Sequence, residues 1–153
     1  MKAIIQRVRR AKVTVNDEIV SSVGRGLCVL LGIHRDDTSS DLEYVVRKIL
    51  SIRLFDADGQ KWRKSVQDEN LEILCVSQFT LHSTLKGNKP NFHLSMGADE
   101  AKEMYDEFLR AMKKGYCEDR IKDGRFGEYM QVHIENDGPV TIVLNSRDDN
   151  TNE

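Results

Sequence analysis

With 153 residues, 31% of them charged and 39% hydrophobic, the chain is sized for one domain that buries about two-thirds of the surface its unfolded form exposes. A formal net charge of −2 argues against wholesale polyanion binding, three cysteines argue against a disulfide framework, and no apolar run nears the roughly 20 residues of a membrane span. The opening MKAIIQRVRRAKVTV mixes charge into alternation and lacks the apolar stretch of a signal peptide, so the expected compartment is the cytosol.

Residues 2 to 9 alternate Ala3, Ile5 and Arg7 against Ile4, Gln6 and Val8, and KVTV with EIVSSV continues the strand pattern around an Asn16-Asp17 hairpin turn. Gly24 and Gly26 bracket a second turn before LCVLLGI, a continuous apolar run expected of a strand covered on both faces. A helix follows, with Thr38 as N-cap and Leu42, Val45, Val46, Ile49 and Leu50 at helical spacing. SIRLF reads as a strand turning at Asp58-Gly59, and LEILCVSQF, residues 71 to 79, as a second buried strand. HSTLKGNKPNFH has turn residues and no period, so it is expected to be an exposed loop.

A second helix spans about residues 99 to 114, its apolar stripe being Ala101, Met104, Tyr105, Phe108, Leu109 and Met112, with Gly115 as its stop. Residues 116 to 125 read as a loop, and the chain closes with a pair of strands, EYMQVHI and TIVL, separated by NDGPVT. The expected domain is 1–146, with 147–153 as a flexible tail. Six to eight strands and two helices without strict βαβ alternation predict an α+β fold, a mixed or barrel-like sheet with the two helices outside.

Neither GRG nor KGNK makes a phosphate loop, and no Cys/His spacing suggests a metal, so neither metal nor cofactor is expected. Cys28 and Cys75 sit in apolar strands and read as small core hydrophobes, while Cys117 lies in a polar loop. A Cys75 nucleophile paired with His82 or His93 would be handicapped by burial, and His34 and His133 are scattered singly. Two stretches remain. In SQFTL, strand alternation would turn Ser77, Phe79 and Leu81 one way and Gln78 and Thr80 the other, at a strand end beside a loop. In NDGPVT, Pro139 has no N–H for a ladder, Gly138 widens the backbone's freedom, and Gly-Pro has a real chance of a cis peptide bond.

With these residues in view, the sequence resembles the D-aminoacyl-tRNA deacylase family along nearly its whole length, from MKAIIQRV through GRGLCVLLGI, ILCVSQFTL, KGNKPNFH and KDGRFGEYMQVHI to NDGPVT. The resemblance implies a cytosolic homodimer that hydrolyses the ester between a D-amino acid, or glycine mischarged on the alanine tRNA, and the 3′ end of tRNA. It implies that Ser77, Gln78, Phe79 and Thr80 line the pocket, with Thr80 catalytic through its hydroxyl or its main-chain N–H. It further implies a cis Gly138-Pro139 reaching into the other subunit's pocket, Arg7 orienting that motif, and Ala101, Phe126 and Met130 near the terminal adenosine and aminoacyl group. Lys86, Lys89, Lys122 and Arg125 are the expected tRNA phosphate contacts. The rivals are a non-catalytic nucleic-acid-binding dimer and a cysteine hydrolase acting through Cys75.

Overall fold

The structure, a computed structural model, describes residues 1–149; the part of the expected flexible tail from 150 to 153 lies outside the described residues. Alternation in the N-terminal segment produces β1 (Lys2–Val15), which returns through Asn16 and Asp17 into β2 (Glu18–Val23). Both turn residues have positive φ, 51° and 66°, the pairing whose backbone twist matches that of a two-residue hairpin. β3 (Gly26–Gly32) lies antiparallel to the first half of β1, while β2 covers the second half.

α1 (Ser39–Ser51) starts where the Thr38 N–H donates to the Asp41 carboxylate at 2.9 Å. It carries the chain from β3 across to the parallel strand β6 (Glu72–Ser77), with the small hairpin of β4 (Phe55–Ala57) and β5 (Gln60–Lys64) in between. Beyond β6 comes a second hairpin, β7 (Thr84–Lys86) and β8 (Lys89–Asn91). α2 (Ala98–Gly115) then crosses to β9 (Ile121–Asp123), which is parallel to β6. β10 (Gln131–Asn145) returns along the whole of β1, and α3 (Ser146–Asp149) ends the described chain. Arg147 Nη2 donates to Asp37 at 3.2 Å and Ser146 Oγ to Asp41 at 2.7 Å, which ties α3 to the start of α1.

The main sheet runs β10-β1-β3-β6-β9, with β2 beside β1. Ser21 Oγ of β2 donates to the Asp123 carbonyl of β9 at 2.6 Å, so the two ends of the sheet approach and the barrel nearly closes. The α+β, barrel-like expectation holds. Apolar residues fall into two clusters. Val8, Ala11, Val13, Cys28, Leu74 and Val76 fill the barrel. Leu27, Val29, Leu31, Ile73 and Cys75 face outward onto the stripes of α1 and α2, including Ile49, Phe108 and Met112. β3 thus contributes buried residues to both clusters, which is why its sequence is a continuous apolar run. Burying a side chain such as Phe108, fully inaccessible here, contributes about 1.5–3 kcal/mol.

Several expectations need correction. SIRLF is not a strand: Ser51 Oγ donates to the Arg47 carbonyl and the Ile52 N–H to that of Lys48, extending the helix, so pairing starts only at Phe55. The second buried strand stops at Ser77 instead of Phe79. HSTLKGNKPNFH contains the β7–β8 hairpin, closed by Gly87 at φ 62°. Residues 116 to 125 contain β9, whose Ile121 is a buried sheet residue. The final pair of strands is one long strand, because β1 is long enough to pair with EYMQVHI and TIVL alike, leaving NDGPVT as an interruption inside it. There are accordingly ten strands and three α-helices among the described residues. Gly115 closes α2 as a helical residue; its missing side chain admits Leu50, whose Cδ1 would stand 2.9 Å from a Cβ there.

Candidate active site

β3 and β6 are adjacent and parallel, with Leu31 opposite Ser77, so their C-terminal ends open together. Beyond Ser77 the chain leaves the sheet. The Gln78 N–H still donates to the Leu31 carbonyl at 2.7 Å, and Phe79–Leu81 then form one 3-10 turn. Strand alternation therefore does not set where Phe79, Thr80 and Leu81 point, contrary to expectation. Gly32 explains the departure. The turn passes directly over it, and a Cβ there would lie 2.8 Å from Leu81 Cβ and 3.1 Å from the Gln78 carbonyl oxygen.

The turn is clamped from two sides. Ser95 Oγ donates to the Phe79 carbonyl at 2.8 Å, and the buried His82 ring meets the Gly32 carbonyl through Nε2 at 3.1 Å. Burial holds the His82 imidazole below its ordinary pKa, so the ring is neutral near pH 7 and Nε2–H is the donor. Its edge meets the His34 ring at a 5.2 Å centroid separation. The side-chain amide of Gln78 donates to Thr80 Oγ1. Inside the turn, Leu81 N–H bonds to the Gln78 carbonyl and His82 N–H to that of Phe79, so the leading N–H groups, Phe79 and Thr80, have no acceptor within it.

The turn forms one wall of a cleft of about 640 Å³. Ser77, Gln78 and Phe79 line it, with Ala101 from the first turn of α2, and Phe126, Tyr129 and Met130 from the segment before β10. Phe79 is 57% exposed and packs edge-on against Phe92 at 5.0 Å. Phe126 rests on Tyr105 at 5.7 Å. Six residues named from sequence, Ser77, Gln78, Phe79, Ala101, Phe126 and Met130, thus share one cavity; Thr80 is not among its lining residues and is tied to it only by its bond to Gln78.

Arg7, Gly138 and Pro139 lie elsewhere. Gln6 pairs with Thr141 and Val8 with Asn136, so residues 137 to 140 stand opposite Arg7 alone and bulge out of the sheet. Arg7 Nε donates to the Asp137 carbonyl at 3.0 Å and Nη1 to the Leu54 carbonyl at 2.7 Å. Asn136 braces the bulge from within, its Oδ1 accepting the Val140 N–H at 2.7 Å and its Nδ2 reaching Thr141 Oγ1 at 3.0 Å. The Gly138-Pro139 peptide is cis, and both residues are exposed at the crest. Along β3, Arg7 is level with Leu27 and the cleft with Leu31, a separation of about 13 Å at some 3.3 Å per residue. Within one chain the crest is not a wall of the cleft.

Lys86 and Lys89 stand exposed on the β7–β8 hairpin, which runs into Phe92 of the cleft. Lys122 is half-buried on β9, and Arg125 ion-pairs with Glu128 at 3.7 Å. Cys75 is fully buried, and burial pushes its thiol far above the ordinary range; Cys28 is pushed up to about 12 for the same reason. Neither is a nucleophile, which removes the cysteine hydrolase. Among the described residues no helix is long and apolar enough to cross a membrane, and no cluster of His, Cys, Asp and Glu is arranged to hold a metal ion. Sequence reasoning overlooked Gly32 and Ser95, and read Asn136 only as the first residue of NDGPVT. Only Gly32 carried a signal, as a glycine at the end of a strand that is otherwise apolar.

The profile of the family described as "D-Tyr-tRNA(Tyr) deacylase" matches residues 4–145. The "D-aminoacyl-tRNA deacylase" of Drosophila melanogaster is 62% identical over 146 residues, covering 95% of this chain and 92% of that protein. "D-aminoacyl-tRNA deacylase 1" of Homo sapiens is 59% identical over 147 residues, covering 95% and 70%. The solved structure of a protein named "c-Myc DNA Unwinding Element Binding Protein" superposes with a TM-score of 0.92 at 58% identity, covering 95% of this chain and 98% of that one.

Proposed function

The chain belongs to the D-Tyr-tRNA(Tyr) deacylase family, and from that premise we propose how its residues divide the work of hydrolysing a D-aminoacyl-tRNA ester. The cleft takes the aminoacylated terminal adenosine, with Ala101, Phe126 and Met130 against the nucleoside and the Ser77–Thr80 segment against the ester. Water adds to the ester carbonyl, the bond from the acyl carbon to the ribose oxygen breaks, and that oxygen takes the proton. The products are free tRNA and the amino acid. The N–H groups of Phe79 and Thr80 face the developing oxyanion, a stabilisation typically worth about 3–4 kcal/mol per donor. Gln78 fixes the Thr80 hydroxyl, while Ser95, His82 and Gly32 hold the turn. Aminoacyl esters are activated already, so no deep base or metal is needed.

Chiral selection comes from a second copy of the chain. In a homodimer, the exposed Gly138-Pro139 crest of one protomer enters the cleft of its partner, and main-chain carbonyls on the crest hold the substrate ammonium. The volume an L side chain requires is then filled, whereas a D side chain points to solvent and glycine, having none, passes. Glycine mischarged on the alanine tRNA is accordingly a substrate. Exclusion by clash discriminates further than the 1–3 kcal/mol or so of a single methylene contact. The observation that supports this reading most is the crest itself, braced by Arg7 and Asn136, exposed at Gly138 and Pro139, and formed by residues that do not line its own cleft. Such elaborate bracing of an exposed turn fits a part that works on another molecule. Lys86, Lys89, Lys122 and Arg125 meet the tRNA backbone.

The test is incubation of the purified protein with D-tyrosyl-tRNA and L-tyrosyl-tRNA. The reading predicts release of D-tyrosine at least a hundredfold faster than L-tyrosine. A second reading is a non-catalytic nucleic-acid-binding dimer, favoured by the 58% identity to a protein named for binding a DNA unwinding element. It predicts binding with both esters intact.

A further inference from the structure

Tyr129 is 88% exposed, the most exposed large apolar or aromatic side chain among the described residues, ahead of Leu85 at 74%. A solitary exposed aromatic is ordinary. This one is placed with some care. The Glu128 N–H bonds to the Arg125 carbonyl at 3.3 Å across a turn whose Gly127 has φ 74°, and the Arg125 guanidinium lies 3.7 Å from the Glu128 carboxylate. The Arg125 N–H also contacts Met130 Sδ at 3.3 Å. The turn therefore has a defined shape, and Tyr129 follows directly after it. Phe126 and Met130 line the cleft and are half-buried, while Tyr129 lines the same cleft and is exposed, which puts it at the rim.

We propose that Tyr129 is a stacking platform for the unpaired base immediately 5′ of the terminal adenosine. The inference rests on the deacylase reading of the cleft and extends it by one nucleotide. The 3′ end of an aminoacyl-tRNA is single-stranded, so once its last nucleoside enters the cleft the preceding base leaves across the rim. An aromatic face there offers that base a π surface irrespective of its identity, the contact by which single strands are held. Tyr129 thereby separates a polynucleotide from a free aminoacyl nucleoside: it adds affinity only for a substrate that has the extra base.

The experiment compares wild type, Tyr129→Ala and Tyr129→Phe on D-tyrosyl-tRNA and on D-tyrosyl-adenosine, which lacks that base. Tyr129→Ala is expected to raise KM for the tRNA about tenfold, the effect of one base–aromatic stack, with kcat within about twofold. Tyr129→Phe keeps the wild-type KM, and all three proteins treat D-tyrosyl-adenosine alike. An unchanged KM in Tyr129→Ala, or equal losses on both substrates, would overturn the assignment. Wild-type protein inactive on both substrates would overturn the deacylase reading and the stacking role with it.

Discussion

Gly32 carries no chemistry, yet it sets the position of the residues that do. The 3-10 turn from Phe79 to Leu81 lies so close over it that an added methyl would stand 2.8 Å from Leu81 Cβ and 3.1 Å from the Gln78 carbonyl oxygen. The carbonyl belongs to main chain and cannot rotate away as the end of a flexible side chain would. Gly32→Ala is therefore expected to lift the turn, misdirect the Phe79 and Thr80 N–H groups, and cost about 1–3 kcal/mol of stability by overpacking. Turnover of D-tyrosyl-tRNA should fall about a hundredfold, since displacements of roughly 1 Å have effects of that order. Urea denaturation and single-turnover hydrolysis check the two halves separately, and full activity in a folded variant would refute the role given to the turn. Asn136 does similar work on the crest, its side chain closing the bulge against Val140 and Thr141.

Among the elements, those with a strong period were legible in the sequence. The stripes of α1 and α2 and the continuous run of β3 state their own environment, because a helix buried on one side and a strand buried on both have distinct patterns. Short elements had no such record. β9 is three residues long, and β7 and β8 are each three exposed residues joined through Gly87, too few for a periodicity to show. SQFTL and NDGPVT stood out in the sequence as a strand end and as a proline that no ladder admits, and resemblance gave them roles; nothing in their pattern announced a 3-10 turn or a four-residue bulge, which depend on Gly32 and Arg7 far away in sequence. The β7–β8 hairpin also makes a prediction of its own. It presents Lys86 and Lys89 to solvent next to the cleft, so their joint replacement by alanine should lower tRNA affinity and make its logarithmic salt dependence shallower by about 1–2, as loss of two phosphate contacts requires. Titration of tRNA at several salt concentrations measures this, and an unaltered slope would take the hairpin out of the interface.

At the scale of the whole molecule, the barrel holds two devices apart: a cleft at the C-terminal ends of β3 and β6, and a crest on the outer strand β10. That separation is the reason for assigning the complete site to two copies of the chain. β10 is an edge of the sheet, a row of unpaired main-chain groups suited to cover by a partner. The most direct test mixes two disabled proteins. Gly32→Ala spoils the cleft and leaves the crest intact. Gly138→Ala spoils the crest, where φ is 137° and a Cβ would lie 2.8 Å from Val140 Cγ2, and leaves the cleft intact. Each alone should be nearly inactive on D-tyrosyl-tRNA. After unfolding and refolding together, the mixed dimers should regain one working site each, about a quarter of wild-type activity in a statistical mixture of equal amounts. A mixture no more active than its two components would contradict the account and place the whole site within a single chain.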